Sequence, residues 1–177
     1  MKPFAIKFDK SVSKGHLCYR HSSDFVWEII TEYALLVVWV TTILLVFWQN
    51  RLFDNLKDIL FSSLVIALTI WLLLGYYFLD QLVFIKCDKN KKIENTILPL
   101  IRVNFPKAKI DTSSSKILTA GQSMTRFRWG KEISCLITDN GFYLNITTLG
   151  RGDLRSPFHA VTNYLKCKRF KEQIEQF

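Results

Sequence analysis

The residues of this chain best suited to chemistry lie in the run Gly150-Arg151-Gly152-Asp153-Leu154-Arg155-Ser156-Pro157-Phe158-His159. Two glycines loosen a basic loop that leads straight into a Ser-Pro pair of the kind that opens a helix. Free backbone N–H groups and the positive end of a helix attract anions, and arginine forks add charge-assisted bonds of roughly 1.5–3 kcal/mol each. Arg126 and Arg128 alternate with Phe127 and Trp129 and would complete such a site from a neighbouring strand. Arg126, Arg128, Arg151, Arg155 and His159 therefore form the candidate ligand-binding set, with an anion as ligand. A nucleotide would place its phosphates on the arginines and its base on an aromatic ring. The same residues also suit a plain structural role, with Asp153 paired to Arg151 or Arg155 in a solvated turn and Phe127 and Trp129 packed in a core.

Catalytic chemistry is harder to assemble. The chain has no phosphate-loop or dinucleotide motif, His16, His21 and His159 are isolated from one another, and Ser156 has no neighbouring base to activate it. Cys18, Cys87, Cys135 and Cys167 lack the paired spacing of a zinc knuckle or disulfide framework, so they read as reduced, structurally incidental thiols. The expectation is a protein that is not an enzyme and has neither metal nor cofactor.

The elements that must position these residues divide the chain unevenly. Tyr33 to Asn50 and Ile59 to Leu79 carry no charged residue. A hydrocarbon core of roughly 30 Å needs about 20 apolar helical residues, which the second run supplies and the first reaches by borrowing Val26 to Thr31. Two transmembrane helices over about 26–49 and 59–80 follow, and the first is too long for the apolar region of a signal peptide. Domain organisation is then a cytosolic segment over 1–24, a transmembrane hairpin over 25–80 and a basic domain over 81–177.

The net charge of +9 is distributed as 17 Lys/Arg against 9 Asp/Glu after Leu79, 5 against 2 before Phe25, and 2 against 2 in Arg51 to Asp58. Basic flanks are retained in the cytoplasm, so both termini are expected there, with the neutral loop outside, in a multi-pass protein of the cell inner membrane. That placement argues against adhesion through Arg151-Gly152-Asp153 and makes the glycosylation triplet Asn145-Ile146-Thr147 a coincidence. Glu28 and Glu32, four residues apart, share a helical face at the cytoplasmic end of the first span. They suit either the headgroup zone near a helix N-terminus or the acidic mouth of a pore assembled from several copies. Trp27, Trp48, Tyr76 and Tyr77 fall where aromatic rings anchor helices to an interface.

In the opening segment, Phe4, Ile6 and Phe8 alternate as in a short edge strand, with a loose basic arm as the alternative. After Leu82 to Ile85, a strand or an extension of the span, comes the basic turn Asp88 to Lys92, attracted to anionic lipid at about 1 kcal/mol per basic residue. Ile93 to Phe105 reads as a helix with Pro99 tolerated in its first turn. Two brief strands are expected between Ala108 and Ala120 and another over Met124 to Trp129. Ile133 to Ile137 and Tyr143 to Thr148 should pair across an Asn140-Gly141 turn of type I′. Phe158, Val161, Leu165, Phe170, Ile174 and Phe177 mark one side of a terminal amphipathic helix. The fold class expected is a two-helix transmembrane hairpin plus a small cytosolic α+β domain with an antiparallel sheet.

This layout, carried by Tyr33 to Asn50, Ile59 to Leu79 and the basic tail, resembles the small two-transmembrane effectors of bacterial antiphage defence systems, both those of retrons and those gated by cyclic nucleotides. The resemblance is architectural and transfers no residue role. It implies a homo-oligomeric effector that permeabilises the inner membrane and causes cell death or arrest when its cytosolic domain senses a nucleotide, nucleic-acid or protein trigger. The competing expectation, from the residues alone, is a membrane-tethered binding protein, either an immunity protein or a scaffold, without pore activity. A third is a peripheral domain held against lipid by Lys89 to Lys92 and the terminal helix.

Overall fold

The computed structural model describes residues 6–19, 23–49, 56–87, 93–111, 115–125, 129–150 and 154–175. The chain separates into two compact units, one of residues 21–74 and one combining 1–20 with 75–177.

The first unit consists of helix α2 (Ser23–Gln49) and most of helix α3 (Leu56–Phe78). Among the described residues, the stretch Ile59–Phe78 of α3 is the one long and apolar enough to cross a membrane, with a mean hydropathy of 2.2 and only 17% of it buried. It ends two residues before the expected boundary at 80. The other expected span falls on α2, a continuous 27-residue helix that exposes Trp27, Tyr33, Val37, Val38 and Leu45. Hydroxyl groups do not break either helix because they bond backward along it, Thr42 Oγ1 donating to Val38 O and Ser63 Oγ to Ile59 O, both at 2.8 Å. Glu28 and Glu32 lie on α2, as expected, but their side chains are outside the described set.

The second unit is α+β. Five antiparallel strands, β1 (Val83–Lys86), β2 (Lys109–Asp111), β3 (Ile117–Gln122), β4 (Gly130–Thr138) and β5 (Gly141–Leu149), stand in the order β1-β5-β4-β3-β2. The alternation of β4 and β5 sends Ile133, Cys135, Phe142, Leu144 and Ile146 to one face. There they meet Ile97, Ile101 and Phe105 at and just beyond helix α4 (Ile93–Asn104), and Cys167 and Phe170 of helix α5 (Ala160–Glu175). All four cysteines are free thiols; Cys87, Cys135 and Cys167 are buried, and burial raises the pKa of Cys135 and takes that of Cys167 to about 12.

The opposite face is covered at one end by the N-terminal segment; of the expected edge strand, Phe4 lies outside the described residues, Ile6 forms an isolated antiparallel bridge with Tyr19, and Phe8 instead opens a helix. Phe8–Lys14 is helix α1, closed by Gly15 in the left-handed conformation at φ 66°. Its Ser11 is fully buried and makes the turn local: Ser11 Oγ donates to Lys7 O and accepts from Cys18 N, each at 2.8 Å. Backbone hydrogen bonds then join the segment to the chain after α3, from Leu17 N to Asp80 O and from Leu82 N to Gly15 O. Leu17, Leu82 and Leu136 form the small core beneath it, with Phe8, Val12, Tyr19 and Tyr143 around them. The alternation of Ile6 and Phe8 was compatible with a strand, but the Ser11 hydroxyl and the glycine stop at position 15 close a helix instead.

Other expectations shift in detail. Pro99 stands in the interior of α4, not in its first turn. The register Thr138↔Gly141 puts Asp139 and Asn140 in the hairpin loop, one residue upstream of the expected Asn-Gly centre. Gly141 is needed for another reason: its φ is 151°, and a Cβ there would lie 2.2 Å from Ile85 O across the β1–β5 pair. The third strand is β3; Ser123 and Met124 lie outside any strand, and the remainder of the Met124–Trp129 segment includes residues 126–128, outside the described set.

Candidate functional site

Two polar clusters flank the start of α5. The first surrounds Asp80, two residues beyond α3. Leu149 and Arg155 form an antiparallel bridge, and Ser156 N donates to Thr148 O, so the residues before α5 continue along the end of β5. This backbone placement directs Arg155 inward. Its residue exposure is 6%, Nη1 donates to Asp80 Oδ1 at 2.8 Å, and the guanidinium carbon lies 5.4 Å from the centre of the Tyr19 ring. Tyr19 donates its hydroxyl to the same carboxylate oxygen at 3.3 Å. Burial raises the phenol's pKa well above 10, and the Asp80 charge raises it further.

Asn145 extends this cluster. Its Nδ2 donates to Leu79 O at 3.1 Å and Gln81 O at 2.8 Å, while its Oδ1 accepts from Thr147 Oγ1 at 2.8 Å. The buried amide thus satisfies carbonyls just beyond α3, and as an internal residue it is unsuited to glycosylation. Two contacts of the last turn of α3 complete the junction. Phe78 packs on Tyr164 of α5 at 4.7 Å between ring centres, and Gly75 lies so close to Pro157 that a Cβ would be 2.2 Å from the Pro157 carbonyl oxygen.

The second cluster lies on the helix-covered face. Lys131 pairs with Thr148 in the β4–β5 register and shares the face of Ile133 and Cys135. Lys131 Nζ donates to Thr148 Oγ1 and, at 3.1 Å, to Asn163 Oδ1; Asn163 Nδ2 donates to Thr148 Oγ1 at 2.9 Å. Burial lowers the Lys131 pKa, and Lys166 lowers it further. Nearby, Ser156 Oγ and His159 Nδ1 are 3.2 Å apart, and the His159 ring lies 5.2 Å from Trp129. Burial, then the charge on Lys131, pushes the His159 pKa below 6.5. Gly150 is small where Trp129 passes: a Cβ would meet the indole at 3.1 Å.

Pro157–His159 is a short 3₁₀ turn leading into α5, with Pro157 at its first position as expected. Ser156 precedes it but makes no side-chain cap. The five expected ligand residues distribute unequally. Arg126, Arg128 and Arg151 lie outside the described residues, as does Asp153. Arg155 and His159 belong to separate clusters, the first held by Asp80 and the second beside Trp129 and Lys131. Lys131, Asn163 and Asp80 were not singled out from the sequence. Their partners are 32 and 75 residues away, and only the β4–β5 register and the return of α5 join them.

Comparison with protein-family models, with characterised proteins and with solved structures finds no match.

Proposed function

We propose that this chain is a membrane-embedded effector of antiphage defence, in which a trigger sensed by the α+β domain makes the helices permeabilise the inner membrane and causes cell death or arrest. The observation that carries this reading is the set of side-chain bonds that holds the chain just beyond α3. Asp80 is bonded to Arg155, and the carbonyls of Leu79 and Gln81 to Asn145. A passive tether works through a flexible linker, whereas a domain that must act on its helix needs one without slack. In this reading α2 is the second span, both termini are cytoplasmic, and Glu28 and Glu32 stand at the mouth of a homo-oligomeric assembly.

The trigger is an anion-bearing nucleotide, nucleic acid or protein, and Arg126, Arg128, Arg151 and His159 are the residues proposed to bind it. Arg155 serves this reading as the latch on Asp80. Trigger binding must favour the active assembly by several kcal/mol over the silent one, since equal affinity for both shifts nothing.

The test is to induce the full-length chain in a bacterial host and follow inner-membrane potential with a voltage-sensitive dye, alone and during phage challenge. Depolarisation in either condition, lost when Glu28 and Glu32 are both changed to Gln, is the expected result. An unchanged potential in cells where the protein is inserted overturns the effector reading in favour of a tethered immunity or scaffold protein.

A further inference from the structure

We infer that the 3₁₀ turn Pro157–His159, with Trp129 beside it, is a lipid-contacting surface: Phe158 and Trp129 rest in the headgroup layer of the bilayer that α3 crosses. The inference depends on α3 being a span and goes beyond it by assigning a membrane-docked face to the sheet domain. Its starting point is depth. The apolar stretch Ile59–Phe78 has 20 residues and so measures about 30 Å, the thickness of a hydrocarbon core. Gly75 lies three residues before its end, about 4.5 Å inside the apolar boundary. The Pro157 carbonyl would be 2.2 Å from a Cβ at Gly75, which sets the 3₁₀ turn beside the last turn of that stretch, next to its boundary. Any bilayer position that covers α3 to Phe78 therefore brings Pro157 and its neighbours to the interface.

The residues found there suit that environment. Phe158 is 52% exposed and Trp129 51%, large values for aromatic rings in a domain with a well-formed core. Tyr77 in the same last turn of α3 is 63% exposed. Aromatic side chains gather at membrane interfaces because their apolar bodies leave water while their polar edges remain near it. The His159 ring lies 5.2 Å from that of Trp129, and Gly150 leaves room for the indole. The sheet domain thus has two points of membrane contact, the helix that enters it and the turn that packs on that helix.

A nitroxide placed at residue 158 by Phe158→Cys tests this in the full-length chain, reconstituted in phosphatidylcholine–phosphatidylglycerol vesicles. Cys18→Ser removes the half-exposed thiol, and the labelled Cys18→Ser chain alone gives the background. Collisions with oxygen, which concentrates in lipid, are compared with those of a water-soluble nickel chelate by power saturation. Leu73→Cys in α3 gives the lipid reference, Lys109→Cys on the sheet edge the aqueous one, and Trp129→Cys a second reading of the patch. Positions 158 and 129 are expected to shift from the aqueous reference toward the oxygen-dominated value of position 73. If position 73 reads lipid while 158 and 129 match 109, the docking surface is overturned and the span remains. If position 73 also reads water, the span itself is lost and the inference with it.

Discussion

Removing the Arg155 guanidinium takes the charged partner from the Asp80 carboxylate and leaves the Tyr19 hydroxyl beside it. Truncating one member of a buried ion pair costs about 3–5 kcal/mol, and because the Asp80 side chain keeps 32% exposure, about 2 kcal/mol is expected for Arg155→Ala. Denaturant unfolding checks this, and Asp80→Asn in the same chain should recover part of the loss by removing the stranded charge. His159 gives a pH-dependent counterpart. Its folded pKa lies below 6.5 because of burial and then Lys131, so the folded state resists protonation. Stability is therefore complete above about pH 6.5 and falls as the pH drops through the folded pKa. The imidazole resonance followed by NMR should titrate with a midpoint below 6.5, and Lys131→Met should move that midpoint upward by removing the second cause. An unmoved midpoint would mean that the two residues do not share a field. This cluster was only partly legible in the sequence. His159 and the glycine-loosened loop were visible as local text, whereas Lys131 meets Asn163 only after β4, β5 and α5 have folded.

At the scale of elements, the residue patterns specified most of the sheet domain, and the misreadings have physical causes. Strands β4 and β5 were legible because alternation and a turn pair occur together. Helix α5 was found with its buried side only partly assigned. Phe170 is buried and Ile174 packs against the core as expected, but Phe158 and Leu165 are exposed while Ala160, Asn163 and Cys167 are buried. A stripe made of alanine, asparagine and cysteine is less conspicuous than one of phenylalanine and leucine, yet it is the narrow side that lets α5 lie close to β5 and β1. The position of Gly141 has a cost that follows from its close approach to β1. Gly141→Ala combines an unfavourable φ with a Cβ 2.2 Å from Ile85 O, and should destabilise the domain by about 2 kcal/mol or more. Hydrogen exchange at Val83–Lys86 would detect the separation of β1 first. Pro99 has the opposite sign. Within α4 it cannot donate to the carbonyl four residues earlier, so Pro99→Ala at this exposed position should raise stability by about 1–3 kcal/mol in the same unfolding assay.

For the whole molecule, the question is whether α3 is an anchor or a lever, and the junction supplies the test. Six Gly/Ser residues inserted between Phe78 and Leu79, combined with Phe78→Ala to remove the packing on Tyr164, leave Asp80, Asn145 and Arg155 together but release the last turn of α3 from its fixed spacing to them. Such a linker has a root-mean-square reach of about 13 Å, enough to let the sheet domain move independently of the helix. The proposed effector needs the trigger to bias the helices through that connection, since a ligand shifts an equilibrium only by its difference in affinity for the two states. The insertion variant should therefore enter the membrane and retain the low His159 midpoint of a folded domain, yet lose the depolarisation measured for the unaltered chain. If instead it depolarises as fully as the parent, the junction does not transmit the signal, and the bonds of Asp80 and Asn145 serve only to complete the fold. A tethered binding protein predicts a third pattern, in which neither chain depolarises and partner binding survives the insertion. The folded-domain titration is what gives the comparison its force. It separates a broken lever from a broken domain, and no loss of activity alone can make that distinction.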